Sequence, residues 1–130
     1  MNMKHTILFL TALLLFGPLR AAETLLVDKG APCAQIVIAA ENRPRMATLA
    51  ALELQRHIQT MSGARLPIVT NPDASMPVKI YVGKSPATEK LGVTDKDLKY
   101  GAFRMASGAD WLVLLEIGRA SCRERVCAIV

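Results

Sequence analysis

Few side chains in this 130-residue chain belong to the types that carry out chemistry, and their spacing decides what each can do. Gly83-Lys84-Ser85 follows a β-type run and ends as a phosphate-binding loop ends. Such a loop also needs a glycine five residues before the Gly-Lys pair, so that its backbone N–H groups can wrap the phosphates. That position is Val78, so Gly83 is read as the end of a strand. His5 belongs to the N-terminal segment, which leaves His57 as the one histidine of the remaining chain. Met61 stands at i+4, where a helical metal pair needs a second ligand. Asp95 and Asp97 could form a carboxylate pair, but they lie in Thr94-Asp95-Lys96-Asp97-Leu98-Lys99. Nothing nearby would desolvate either one, as acid–base work demands, and both are read as solvated. Cys33 reads as a small apolar filler. Cys122 and Cys127 make half a structural zinc site at a spacing that fits no common pattern. No catalytic, cofactor-binding or metal-ligating residue is assigned, and no cofactor is expected.

The elements that would position these residues read as a mixed α+β domain. Residues 25–27 and 35–39 are β-type runs, the second rich in β-branched residues. Asn42 is expected to cap a helix over residues 43–61, with Pro44 in its first turn, where a missing N–H is harmless. Ala47, Ala50, Ala51, Leu54, Ile58 and Met61 form its apolar stripe, and Gly63 supplies the left-handed stop. Residues 66–70 and 78–82 read as further strands, and residues 94–98 as one helical turn capped by Thr94. Residues 102–106 and 111–115 flank a short loop and suit a β-hairpin. Phe103 and Met105 share one face of it, and Trp111, Val113 and Leu115 share another.

Residues 1–22 have the layout of a secretory signal peptide. Lys4 makes the N-terminus positive, residues 6–16 are an apolar run, Gly17-Pro18 breaks it, and Ala21-Ala22 offers small residues to a peptidase. Cleavage is expected after Ala22, with Ala21 as the second site. The run is about half the ~20 residues that a membrane span needs, so no stable span is expected after cleavage. The mature chain is expected to be secreted or periplasmic. The formal charge of +5 shrinks once it is located: residues 23–115 hold eleven basic and nine acidic side chains, interspersed. The basic residues do not cluster with aromatics, which argues against a nucleic-acid partner.

The order of phrases resembles a known family. Ala51, Glu53, Leu54 and Gln55 run into Ser62-Gly63 and Leu66-Pro67; Ile80-Tyr81-Val82-Gly83 follows, and then the hairpin from Phe103 to Leu115. This is similar to the N-terminal accessory domain of secreted glycoside hydrolases of the β-N-acetylhexosaminidase and α-glucuronidase type. The resemblance covers residues 25–115. It implies a two-layer mixed β-sheet with a helix packed on one face, incomplete at its C-terminus, because the family continues past the hairpin into a glycine turn and another helix. It also implies that catalysis belongs to carboxylates of a following (β/α)8 barrel, a domain of about 250 residues. No position here matches those carboxylates. The implied partner is that missing barrel, with a polysaccharide or glycan as a further candidate.

Residues 116–130 depart from the family. Residues 116–126, Glu-Ile-Gly-Arg-Ala-Ser-Cys-Arg-Glu-Arg-Val, match at every position the in-frame translation of a common short-read sequencing adapter. Residues 127–130 would be index or ligated sequence. The segment is therefore expected to be an artefactual, unstructured tail that marks a truncation. Two other functions compete with the accessory-domain reading. One is a free-standing extracytoplasmic carbohydrate-binding module, which would need an aromatic platform from Tyr81, Tyr100 and Trp111. The other is an interaction domain with no enzyme activity.

Overall fold

The computed structural model describes residues 24–99 and 102–116. The chain is α+β. A five-stranded mixed sheet runs in the order β4-β3-β5-β7-β6, and a two-stranded sheet pairs β1 with β2. The small sheet is an antiparallel hairpin of β1 (Val27–Asp28) and β2 (Ala31–Pro32), turning at Lys29-Gly30. The expected strand over residues 25–27 thus begins later, with Leu25 and Leu26 left exposed.

β3 (Ala34–Ile38) is buried along its whole length. It sits between β4 (Ile68–Val69) and β5 (Val78–Val82), parallel to both, which accounts for its unbroken β-branched composition. β4 is shorter than the expected strand. Pro67 has no N–H to donate, although its carbonyl accepts from Ile36 N at 2.8 Å. Leu66 is fully buried all the same.

The long helix, α1, spans Arg45–Ser62. It starts two residues later than the sequence suggests, and Asn42 does not cap it. Proline disfavours the helical region for the residue before it, so Arg43 stays outside and extended Pro44 becomes the N-cap. Asn42 turns left-handed instead, at φ 50°. Gly63 ends the helix as expected, at φ 76°, its N–H donating to Gln59 O. Of the stripe, Ala51 and Ile58 are buried and Ala47 and Leu54 half-buried, but Ala50 and Met61 are exposed. The buried centre of the helix lies closer to Gln55, whose Nε2 donates to Leu66 O at 2.6 Å.

A short helix that the sequence pattern did not suggest comes after β5: α2 (Pro86–Lys90). Its start was encoded. Ser85 and Thr88 form a reciprocal capping box, and proline occupies the first turn. The expected helical turn at residues 94–98 is a β-turn instead, closed by Leu98 N to Asp95 O at 3.0 Å. One such bond does not offset the cost of nucleating a helix.

The hairpin is present as β6 (Phe103–Ser107) and β7 (Trp111–Glu116), with Ser107 opposite Leu112 and Phe103 opposite Glu116. β7 lies parallel to β5. It also runs one residue into the segment read as tail, because the ladder joins backbone groups and accepts any side chain at Glu116.

The sheet therefore has two distinct faces. On one, α1 covers Ala34, Ile36, Ile38, Val78, Ile80 and Val82. On the other, Val37, Tyr81, Val113 and Leu115 pack beneath Ala87, Leu91, Val93 and Leu98 of α2 and the loop after it.

Candidate functional site

Lys84 leaves the carboxyl end of β5, where a phosphate-binding lysine would stand, but its ammonium is already engaged. Lys84 Nζ donates to Asp95 Oδ1 at 3.0 Å and Oδ2 at 3.2 Å, and Glu89 Oε1 lies 3.7 Å away. The hydrogen bond from Lys84 holds the Asp95 carboxyl below its usual range, and the same bond raises the Lys84 pKa. Asp95 is thus an ion-pair partner and not the free, solvated carboxylate expected from its surroundings in sequence. Asp97 lies apart from it, largely exposed, with Arg104 Nη2 at 4.0 Å. The two aspartates do not converge on a common point. The cluster clips the loop after α2 to the end of β5 and leaves no unpaired base.

His57 is exposed on α1, with Glu53 at 3.8 Å one turn back. Cys33 is half-buried just before β3, its Sγ 3.8 Å from Ala31 O. Among the described residues no three His, Cys, Asp or Glu side chains gather around one point. Cys122 and Cys127 lie outside the described residues. A shallow groove of about 580 Å³ between α1 and the β4 edge is lined by Thr48, Leu52, Gln55, Arg65, Pro67 and Ile68 among others. It holds one cation and no carboxylate. The Gln55 amide already donates to Leu66 O, so the groove offers nothing that accepts a proton from a substrate.

Among the described residues the aromatic side chains do not assemble into a sugar platform. Tyr81 is buried in the core. Trp111 is half-buried and packs against the Val37–Val113 side of the sheet, and its indole lies so close to Gly108 that a Cβ there would overlap it. Tyr100 lies outside the described residues. Phe103 is exposed but stands without a second ring beside it on β6.

What Phe103 does belong to is an apolar strip. Residues directly opposite one another in an antiparallel pair share a face. Phe103 pairs with Glu116, Met105 with Leu114 and Ser107 with Leu112. Leu112 and Leu114 in turn pair with Ile80 and Val82, which α1 covers. Phe103 and Met105 therefore lie on the α1 side of the sheet, yet they are 71% and 64% exposed. α1 sits over β3, β4 and β5 and reaches Leu112 and Leu114 only at its border, and among the described residues Phe103 and Met105 are left open on that side. On α1, Leu54 is half-buried against the core cluster and Met61 is 79% exposed.

The outward side of the first turns of α1 is apolar as well, with Met46, Leu49 and Leu52 between 41% and 51% exposed. Among the described residues no helix is long and apolar enough to cross a membrane. Searches against protein-family models, curated proteins and solved structures find no match for this chain.

Proposed function

We propose that this chain is a non-catalytic N-terminal domain fragment of a secreted carbohydrate-active enzyme. In this reading a barrel that comes after it in the parent protein hydrolyses glycosidic bonds of N-acetylhexosaminides or uronic-acid-decorated polysaccharides. The observation that carries the reading is the apolar strip of Phe103, Met105, Leu112 and Leu114 beside α1. Phe103 and Met105 of β6 are the open part of this strip, while Leu112 and Leu114 of β7 are half-buried against the cluster under α1. The resemblance implies a glycine turn and then a helix after the hairpin, and β7 delivers the chain to the rim of that strip. Met46, Leu49 and Leu52, on the far side of α1, are then the surface offered to the barrel. The ion-paired Lys84 and the dispersed His57 and Asp97 support placing the chemistry outside this domain.

The test compares the 130-residue chain with a longer chain whose codons beyond Leu115 come from the source locus, resequenced with adapter-trimmed reads. The longer protein should melt higher, bind less of the dye ANS, and release chromophore from an aryl N-acetylhexosaminide or aryl glucuronide. A genuine stop codon after Val130 would sink the reading. So would a longer chain in which Met105 is oxidised as readily as it is here.

A further inference from the structure

We draw no further inference here: the strongest candidate, the apolar strip of β6 and β7 beside α1, belongs to the surface already described, and nothing in the structure shows what other than the continuing chain would cover it.

Discussion

Among the described residues, Gln35 is the largest polar side chain that is completely buried. It is tolerated because both ends of its amide are used: Nε2 donates to Asp73 O at 2.6 Å, and Oε1 accepts from Asp73 N at 2.9 Å. The pair fastens the loop before β5 onto β3. Gln35→Leu keeps the volume and removes both bonds, so it should lower stability by about 1–3 kcal/mol, read as a shift in the urea midpoint. An unchanged midpoint would mean that the loop is held by something else. Lys84 and Asp95 give a pH-dependent counterpart. The Asp95 pKa is lowered in the folded state, so its contribution is present above about pH 4 and is lost as pH falls through the folded value. The Lys84 pKa is raised, so its contribution is present below about pH 10 and is lost as pH rises through its folded value. The penalty for Lys84→Met should therefore be full at about pH 7 and shrink as the pH is lowered through the folded value of Asp95, which lies below its usual one. Salt should shrink it as well, since both groups face solvent. A penalty that stays constant while Asp95 is titrated to its neutral form would show that the lysine acts through packing alone.

Among the elements, the end of β5 and the start of α1 meet closely. Gly83 ends β5 at φ 82°, and a Cβ built on it would sit 3.0 Å from Ala47 Cβ. Gly83→Ala should cost about 1–3 kcal/mol, part of it backbone strain and part crowding. Adding Ala47→Gly removes the crowding and leaves the strain, so the double variant should regain only part of the lost thermal stability. Full recovery would show that the backbone tolerates alanine there. Gly83 also illustrates what was legible in advance. A glycine closing a strand could be read from Val78 to Val82, because the β-branched run and its punctuation are local signals. α1 and its stop at Gly63 were legible for the same reason. The misreadings fell where a neighbour overrides a local preference. Pro44 took the cap position from Asn42, and one turn at residues 95–98 could not nucleate a helix. α2 carried its signal in Ser85, Pro86 and Thr88, but five residues are too few for a periodicity to show. The site residues were harder still. Period 2 puts Phe103 and Met105 on one face, yet only the strand order, which sequence spacing does not contain, shows that α1 stops short of that face.

At the scale of the whole molecule, the two sides of the β6–β7 hairpin are solved differently. Leu115 is 2% exposed on the side covered by α2 and its loop, while Met105 and Phe103 lie on the other side in contact with water. Exposed apolar surface of this kind marks an interaction site or an aggregation risk. β6 adds to the risk, since it is the edge of the sheet, with no proline among its five residues. The contrast can be measured within one hairpin. Leu115→Ala should cost about 2–5 kcal/mol, as core truncations do. Phe103→Thr combined with Met105→Thr should leave stability within about 1 kcal/mol, because both side chains are already in water and threonine suits a strand. The same double variant should bind less ANS and should sediment as monomer at concentrations where the parent chain associates. A destabilisation matching that of Leu115→Ala would mean that the strip is covered in this chain, and the case for a missing helix would fall. Stability preserved without any loss of dye binding or association would place the sticky surface elsewhere, with Met46, Leu49 and Leu52 on α1 the next residues to substitute.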